Sequence, residues 1–424
     1  MVEPIDGITD PWECGNYLIE QMKDGFTHNG RFFIYNNGYQ ELKRDALELL
    51  ILRILKEKAT QAKISLVIDR LTYELPKYEP NEKYLAFEDG YLDPTTCKFV
   101  RGEYEKEARV YQRMPFTYDN VAQPTEWYAF LDQVFEGDED AEQKKMLIQE
   151  YFGYCLMRDM NYHKALMLYG SGGNGKSVIC DILEALVPYA THLEWTELGE
   201  QRGLERLADS WLNVSTEISY KENSASTGFK KVVAGETITA NPKYKRPFDF
   251  KAHCKLIFAS NGVPQTESDS GVFRRLIIIA LNNSFVGRED WQLTNRLKEE
   301  LPGIFNWAIV GAARLRGQGF FTYVPSNVTE LQEYRRAINS LQSFHDEELN
   351  MYEGQEISFN EFYRSYTRYC LETSNRPFAR NKVRGVVKLL NLKLDIYTGH
   401  ANTRMVKALA PINWEDSDPF SELL

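Results

Sequence analysis

The most informative stretch of the chain is Gly170-Ser171-Gly172-Gly173-Asn174-Gly175-Lys176-Ser177. It matches G-x-x-x-x-G-K-[ST] at every fixed position, and we call it the glycine-rich loop. Residues 164–169 before it form an apolar run of strand length, and residues 178–186 after it have helical spacing. Backbone N–H groups of such a loop point at phosphate oxygens, and the following helix N-terminus adds a favourable dipole. The loop therefore predicts a nucleoside triphosphate site, with an ordinary glycine-rich turn as the alternative.

Two residues of the loop have predicted chemical roles. Lys176 has the length and charge to reach the β and γ phosphates of a nucleotide. Ser177 supplies the hydroxyl that this pattern places on Mg²⁺, an ion that prefers hard oxygen ligands. ATP and Mg²⁺ are therefore the predicted cofactors. The predicted nucleotide contacts are Gly170, Ser171, Gly172, Gly173, Asn174, Gly175, Lys176, Ser177 and Val178.

The composition is that of a globular protein with more than one domain. The chain has 424 residues, of which 43% are hydrophobic and 26% are charged. Cores of chains this long are usually divided, so two or three domains are expected. The formal net charge of −11 argues against a protein that coats nucleic acid through its overall charge, but it leaves local basic channels open.

Cysteine usage and the N-terminus favour a cytoplasmic protein without a membrane partner. The six cysteines include no C-x-x-C pair and no histidine at metal-ligand spacing, so neither a zinc site nor a disulfide framework is predicted. Residues 1–6 are acidic where a secretory signal would be basic, and no apolar run approaches the ~20 residues that span a bilayer.

Three further apolar runs after the glycine-rich loop predict buried strands. They are Trp211–Ser215, Cys254–Ala259 and Leu276–Leu281. Continuous apolar runs are typical of parallel strands that are covered on both faces. Together with residues 164–169, they predict an α/β nucleotide-binding core over about residues 164–283.

Polar residues beside these runs are candidates for hydrolysis, which needs a carboxylate, a polar sensor and a cation near the γ-phosphate. Glu217 follows the first run and Asn261 the second, at carboxyl ends where such sheets present catalytic groups. Arg274 and Arg275 precede the last run, and one of them could reach the nucleotide of a neighbouring subunit. The alternatives are a surface carboxylate, a turn residue and a solvated arginine pair.

Residues 229–250 are predicted to form a hairpin with a basic tip that also carries an aromatic residue. Lysines for phosphates beside a tyrosine for a base suit a single strand that is bound without sequence preference. A charged surface hairpin is the alternative. The candidate DNA-binding residues are Lys231, Lys243, Tyr244, Lys245 and Arg246. Basic residues are concentrated in two stretches, 230–255 and 376–407, and a solvated face is the other interpretation of each.

The region before the loop carries simpler signals. Residues 31–40 predict a strand that enters an Asn37-Gly38 turn, residues 42–55 a core helix, and residues 84–99 a second small β unit. Helical spacing covers residues 125–135 and 141–158.

The C-terminal region has the signals of a small DNA-reading unit. Residues 326–346 have helical spacing, and Ser358–Glu361 is a capping box for a helix that continues to about Glu372. A basic helix over residues 379–390 and a strand, turn and strand over residues 393–409 follow. This order suggests a winged helix-turn-helix, with a helical cap packed on the core as the alternative.

The ordered set of motifs resembles the superfamily 3 helicases of phage and plasmid primase-helicases, relatives of the poxvirus primase-helicase. Residues 31–160 are similar to the helical domain that precedes the motor in that family, notably at Phe87–Leu92 and Pro115–Asp119. Residues 340–395 are similar to its winged-helix segment. The motor motifs are the glycine-rich loop, the strand that ends at Glu217, Lys230-Lys231 with Gly235-Glu236, Pro242–Lys245, Lys255–Asn261 and Phe273–Leu276.

The resemblance implies an AAA+-like P-loop NTPase that forms a ring, typically a homo-hexamer, hydrolyses ATP between subunits and unwinds DNA, usually 3′ to 5′. It implies that Lys176 and Ser177 contact phosphates and Mg²⁺, that Glu217 is the Walker B acid on the metal, and that Asn261 is sensor 1. The arginine finger falls on Arg274 or Arg275, and the pore loop that pulls the single strand on Lys243 and Lys245.

The chain departs from the family pattern in two ways. Glu217 follows Thr216, whereas some relatives have two adjacent acids, so metal binding is expected to rely more on Ser177 and water. No primase-polymerase domain precedes the helical domain, so either the chain is a fragment or priming belongs to a partner.

The predicted architecture is an α/β, AAA+-like core at residues 161–325. A mostly helical N-terminal part precedes it, made of an α+β region at 1–120 and a helical pre-motor segment at 121–160, and a helical and winged-helix-like domain at 326–424 follows. The predicted function is an ATP-dependent, ring-forming DNA helicase of phage or plasmid replication, which acts on single-stranded and forked DNA in the bacterial host cytoplasm. The alternatives are an ATP-regulated DNA-binding initiator or assembly protein, or a packaging or RNA-remodelling motor.

Overall fold

A computed structural model shows a mixed α/β protein built around a five-stranded parallel sheet. In the part of the chain that the structure describes, no helix is both long and apolar enough to cross a membrane. The described residues are 5, 7–28, 31–35, 38–78, 84–94, 96, 98–102, 111–170, 172–215, 225–243, 247–260, 270–326, 340–348, 356–373, 377–378, 380, 383–384, 387, 392, 394–398 and 404–408.

The described chain contains helices and strands in every region. The helices are α1 (Pro11–Gln21), α2 (Arg44–Leu55), α3 (Gln61–Glu74), α4 (Thr125–Val134), α5 (Ala141–Cys155), α6 (Lys176–Leu186), α7 (Ala225–Val233), α8 (Ser270–Phe273), α9 (Leu293–Glu299), α10 (Leu301–Gln318), α11 (Ser340–Glu347) and α12 (Phe359–Glu372). The strands are β1 (Phe26–His28), β2 (Arg31–Tyr35), β3 (Tyr39–Leu42), β4 (Leu85–Phe87), β5 (Gly90–Asp93), β6 (Lys98–Arg101), β7 (Ala165–Tyr169), β8 (Ala190–Thr191), β9 (Leu212–Ser215), β10 (Thr237–Ala240), β11 (Phe248–Lys251), β12 (Lys255–Ser260), β13 (Leu276–Ala280), β14 (Glu356–Ser358), β15 (Leu394–Thr398) and β16 (Arg404–Ala408).

The central sheet is parallel throughout, in the order β13, β7, β12, β9 and β8. Tyr169 at the end of β7 is level with Ser260 of β12 and Ala280 of β13, so three strands end together at what we call the carboxyl edge. The other end, where β7 and β13 begin, is the amino edge. The four strands predicted from apolar runs are confirmed, each to within one residue at either end.

Both faces of this sheet are covered, as continuous apolar runs require. Leu166 and Leu168 of β7 belong to one core, which they share with buried residues of α4, α5, α6 and α10. Ala165 and Met167, on the alternate face, belong to a second core with α7 and the β10–β11 hairpin. The two-residue period of a strand therefore divides β7 between the two cores.

Helices α5 and α10 approach each other at backbone distance. A Cβ added to Gly153 would lie 2.4 Å from the backbone nitrogen of Ala312, and one added to Gly311 would lie 2.2 Å from the carbonyl oxygen of Gln149. Real Cβ atoms do not make such contacts, so any side chain at either glycine would force the helices apart.

A buried carboxylate fixes the same helix pair. Glu150 of α5 is fully buried, and its oxygens accept hydrogen bonds from Arg314 Nε at 2.7 Å and Gln318 Nε2 at 2.9 Å, both on α10. Thr322 donates from its backbone nitrogen at 2.7 Å and from its hydroxyl at 2.6 Å. A charge that is buried with this many donors is satisfied, and removal of any one donor would be costly.

The N-terminal region contains the predicted small β units. Strands β2 and β3 pair as an antiparallel hairpin with Tyr35 opposite Tyr39, and β4 and β5 pair with Phe87 opposite Gly90. Helix α2 confirms the predicted core helix, whereas Asn37 of the predicted turn lies outside the described residues. Helices α4 and α5 confirm the helical spacing of 125–135 and 141–158, although α5 ends earlier, at Cys155.

One carboxylate joins the first sheet to the central one. Asp209 lies 2.5 Å from Arg31 Nη2 of β2 and accepts a hydrogen bond from the Tyr111 hydroxyl at 3.0 Å. It precedes the first residue of β9 by three positions, so the N-terminal sheet contacts the central domain next to one of its core strands.

The C-terminal region folds around α12. Ser358 Oγ accepts a hydrogen bond from the Glu361 backbone nitrogen at 3.2 Å, which confirms the predicted cap, and α12 ends at Glu372 as expected. Strands β15 and β16 pair as predicted, while β14, which pairs with β16, was not predicted. Residues 327–339 and most of the predicted helix at 379–390 lie outside the described residues.

Two predictions around the basic stretch 230–255 are wrong. The hairpin does not begin at Phe229, because Ala225–Val233 is helix α7, and only β10 and β11 form the hairpin. Buried residues at 225, 229, 232 and 233 have helical spacing, and Gly235 with φ 66° ends the helical run. Lys255 is not part of a basic surface, because it lies fully buried in β12.

Candidate functional site

The glycine-rich loop connects the carboxyl end of β7 to the first residue of α6. Its described glycines Gly172, Gly173 and Gly175 have φ values of 108°, 60° and 86°, a conformation that only glycine adopts without strain. The Gly170 N–H donates to the carbonyl oxygen of Ser260 at 3.2 Å, which ties the start of the loop to β12. The sequence thus bends back tightly onto the N-terminus of α6, as the phosphate-binding pattern requires.

Lys176 lies at the base of the loop with its side chain 6% exposed. Its ammonium donates to the carbonyl oxygen of Gly170 at 2.8 Å and to Asn174 Oδ1 at 2.6 Å. Burial lowers the pKa of Lys176 from its ordinary value. The structure therefore holds this cation inside the loop, next to the helix N-terminus, where an anion would gain most from it.

Residues after β13 line the other side of the loop, and sequence reasoning missed them. The carbonyl oxygen of Leu281 accepts a hydrogen bond from Asn174 Nδ2 at 3.0 Å, and Phe285 N–H donates to the carbonyl oxygen of Gly173 at 2.7 Å. A Cβ on Gly173 would lie 2.7 Å from Val286 Cγ2. The sequence carries no motif there, and adjacency of β13 to β7 is the only property that could have pointed to this segment.

A carboxylate at the carboxyl edge, that of Glu194, was also missed. Glu194 Oε2 accepts a hydrogen bond from the hydroxyl of Ser215, the last residue of β9, at 2.7 Å. Glu194 comes from the segment after β8, where no sequence pattern marks it.

The residues expected to hold Mg²⁺ and to assist hydrolysis are only partly described. Ser177 is exposed as the second residue of α6, so its hydroxyl is accessible, and Val178 is partly buried against the core. Ser171, Glu217 and Asn261 lie outside the described residues. Because Ser215 is level with Phe258 and β12 ends at Ser260, the described ends of β9 and β12 lead to the same edge as the loop.

The described loop fits a polyphosphate. It combines a buried ammonium, backbone N–H groups at a helix N-terminus and an accessible hydroxyl, which are the donors and the hard oxygen that phosphates with Mg²⁺ need. A Cβ on Gly172 would meet no atom within 4 Å, so the backbone there borders open space.

Arg274 and Arg275 lie at the opposite edge of the sheet. The carbonyl oxygen of Arg275 accepts a hydrogen bond from the nitrogen of Ala165, the first residue of β7, at 2.8 Å. Arg275 is partly buried and donates to the carbonyl oxygen of Gly271 at 2.8 Å, whereas Arg274 is exposed. Five strand residues at ~3.3 Å each separate the edges by about 16 Å, so the chain does not bring these arginines to its own loop.

The candidate DNA-binding residues divide between two elements. Lys231 is exposed on α7 rather than in the hairpin, because the helix extends to Val233. Lys243 is exposed in the segment between β10 and β11, and Tyr244, Lys245 and Arg246 lie outside the described residues.

Comparisons with known proteins give one family model and one curated relative. Residues 168–275, which include the glycine-rich loop and the arginine pair, match DUF5906, a family of unknown function. A protein of Acanthamoeba polyphaga mimivirus described as a putative helicase is 26% identical over 252 residues, which cover 54% of this chain. The match covers 26% of the mimivirus protein, so this chain spans about a quarter of the length of that relative.

Structural matches to this chain include two apo structures of the NrS-1 C-terminal region. One has a TM-score of 0.49 and the other 0.45, both at 13% identity, and each match covers 95% of this chain and 100% of the other.

Proposed function

We propose that the chain is an ATP-hydrolysing helicase that acts on DNA. The observation that carries the proposal is the buried ammonium of Lys176, held at the N-terminus of α6 within a loop of left-handed glycines. A strand, a loop and a helix surround the motif here, which is the context that supports phosphate binding.

The helicase part of the proposal rests on the similarity to the mimivirus protein described as a putative helicase. The proposal also includes strand separation, a role in phage or plasmid replication and a primase-polymerase partner. These parts go beyond the similarity to the mimivirus protein and rest also on the resemblance of the motor motifs to superfamily 3.

Within this proposal, the glycine-rich loop would bind the phosphates of ATP, and Ser177 and Glu217, together with water, would hold Mg²⁺. Bound Mg²⁺ would neutralise charge on the phosphates and so favour attack by water. Lys176 holds the phosphates in place, Glu217 orients the attacking water, and Asn261 senses the γ-phosphate.

The position of the arginine pair supports an AAA+-like ring, typically a hexamer, with sites shared between subunits. A cation about 16 Å from its own loop is useful to hydrolysis only if it meets the nucleotide of another subunit. Arg274 is the better candidate of the two, since it is exposed while Arg275 is bonded to the carbonyl oxygen of Gly271.

DNA contacts are assigned to the segment between β10 and β11, with Lys243, Tyr244, Lys245 and Arg246, and to Lys231 beside it. The three-stranded sheet and α12 of the C-terminal region support a further DNA contact of winged-helix type.

A pair of lysine variants tests the hairpin. Lys243→Ala should lower the stimulation of ATP hydrolysis by single-stranded DNA by roughly tenfold and reduce the salt slope of DNA binding by about one, because one phosphate contact is lost. Lys251→Ala is the matched control, since Lys251 is an exposed lysine on the stem of the same hairpin. Equal losses in both variants would mean that the tip has no special role.

The whole proposal is tested by measuring ATP turnover with and without single-stranded DNA, and strand separation on forked DNA and RNA duplexes. We expect DNA-stimulated turnover and ATP-dependent unwinding of the DNA fork. Turnover without unwinding would favour the initiator or assembly protein, and preference for RNA would favour the remodelling motor. Absence of nucleotide binding would exclude every one of these functions.

A further inference from the structure

We propose that Asn174 is an internal competitor for phosphate, whose side-chain oxygen engages the donors of the loop and so sets its affinity and its selectivity for polyphosphates. The inference rests on the proposed nucleotide-binding function of the glycine-rich loop and adds a residue that decides which ligands can bind there.

A single acceptor atom receives two of the donors that the loop pattern assigns to phosphate. Asn174 Oδ1 accepts from Lys176 Nζ at 2.6 Å and from the Gly172 backbone N–H at 3.2 Å. Because both donors converge on one oxygen, Asn174 Oδ1 satisfies them in the way a phosphate oxygen would. A ligand phosphate must take these donors over.

The orientation of the Asn174 amide is fixed by its partners. The residue is 2% exposed, and its Nδ2 donates to the carbonyl oxygen of Leu281 at 3.0 Å. The reversed amide would place an NH₂ group against the Lys176 ammonium and an oxygen against a carbonyl oxygen, both of which are repulsive. The competing acceptor is therefore held in place by the segment after β13.

The loop also has backbone anchors that do not involve this side chain. Gly170 N–H is bonded to the carbonyl oxygen of Ser260 at 3.2 Å, and the carbonyl oxygen of Gly173 accepts from Phe285 N–H at 2.7 Å. Removal of the Asn174 side chain would thus take the amide acceptor away from Lys176 and from the Gly172 N–H. Lys176 would keep its hydrogen bond to the carbonyl oxygen of Gly170, and the loop would stay anchored at both sides.

Competition of this kind selects ligands by the charge that they bring to Lys176. An anionic phosphate oxygen is a stronger acceptor than a neutral amide oxygen, so a ligand with a β-phosphate can replace Asn174. A nucleoside monophosphate lacks the group that Lys176 reaches, and cannot compensate for the lost Asn174 contact. The site should therefore prefer nucleoside di- and triphosphates over monophosphates.

Calorimetric titration with ADP and AMP tests the inference in the full chain. Asn174→Ala should bind ADP about three- to tenfold more tightly, since a hydrogen bond to a charged group no longer has to be broken. Asn174→Asp should bind ADP on the order of a hundredfold more weakly, because its carboxylate pairs with Lys176 and repels phosphate. In Asn174→Ala, the ratio of the affinity for ADP to the affinity for AMP should also be smaller than in the wild type.

Asn306→Ala is the matched control. Asn306 is a partly buried asparagine on α10 whose Nδ2 likewise donates to backbone carbonyls, those of Asp119 at 2.8 Å and Ala122 at 3.1 Å. Its ADP affinity should stay within about twofold of the wild-type value, as expected for a site without shared partners.

Weaker ADP binding in a folded Asn174→Ala, or ADP binding at the wild-type affinity in a folded Asn174→Asp, would overturn the inference. A wild-type protein that binds no ADP would instead refute the proposed function.

Discussion

The two edges of the parallel sheet both carry positive charge, but they hold it differently. At the carboxyl edge, the Lys176 ammonium is buried and bonded to Gly170 and Asn174. At the amino edge, Arg274 is exposed, and Arg275 is bonded through one guanidinium nitrogen to Gly271. This difference agrees with the proposed function, in which Lys176 serves its own loop and can be fixed in advance, whereas Arg274 serves another subunit and must remain accessible.

Loss of the carboxyl-edge cation should have the largest effect. Lys176→Ala is expected to lower ATP hydrolysis by at least about 10³-fold, because both binding of the phosphates and stabilisation of transition-state charge are lost. Turnover at saturating and limiting ATP, with direct nucleotide titration, measures the two losses separately. Retention of ATP binding at the wild-type affinity would show that the ammonium does not contact phosphate.

Loss of the amino-edge cation should come next. Arg274→Ala is expected to lower turnover by about 10³-fold while ATP still binds, because an arginine finger acts in the transition state. Arg275→Ala is the matched comparison and should lower turnover less, although its lost contact with Gly271 should reduce thermal stability.

Mixing the two inactive variants tests whether the loop of one subunit and the arginine of another act on the same nucleotide. In a ring assembled at random from equal amounts of Lys176→Ala and Arg274→Ala, about one interface in four combines an intact loop with an intact arginine. Partial recovery of turnover on mixing would confirm sharing between subunits. If the mixture stays as inactive as its components, Arg274 is not a finger supplied to a neighbouring subunit.

The smallest expected effect concerns a second buried lysine, Lys255 at the start of β12. Its ammonium donates to the carbonyl oxygens of Met157 at 2.6 Å and His253 at 3.2 Å and lies 4.5 Å from the centre of the Tyr154 ring. Burial lowers the pKa of Lys255 from 10.5 to about 8. The folded protein therefore releases this proton at lower pH than the unfolded chain does.

The sign of the pH effect follows from that difference. Between about pH 8 and pH 10.5 the unfolded chain binds more protons at Lys255, so this residue's contribution to stability rises with pH, by up to about 1.4 kcal/mol per pH unit. Melting temperatures of wild type and Lys255→Met at pH 7 and pH 9 measure it, and wild type should gain relative to the variant at pH 9. A constant difference between the two proteins would mean that Lys255 titrates normally.

The sequence predicted the central strands well because each is a continuous apolar run bounded by polar residues. It failed for α7 because the charges of Lys230 and Lys231 favoured the prediction of a basic hairpin. The apolar residues Phe229, Val232 and Val233 instead follow the helical period. The burial of Lys255 could not be predicted either. Its ammonium is satisfied partly by Met157, which is 98 residues away in the chain.

In the candidate site, too, features that are local in sequence were predicted, whereas contacts between distant residues were not. A local pattern identified Lys176 and the glycines, whose roles depend on neighbours in sequence. The contacts of Asn174 with Leu281 and of Ser215 with Glu194 are made by residues brought together only by the fold of the sheet.

The two glycines between α5 and α10 have a mechanical consequence. Since Gly153 and Gly311 bring the backbones into contact, and Glu150 is bonded to both Arg314 and Thr322, the pair can neither slide nor roll without losing buried contacts. Helix α5, which precedes the glycine-rich loop, and helix α10, which follows the sheet, therefore form one rigid unit. A protein that begins after residue 160 would lack α5, and with it one half of this rigid unit and one layer of the core.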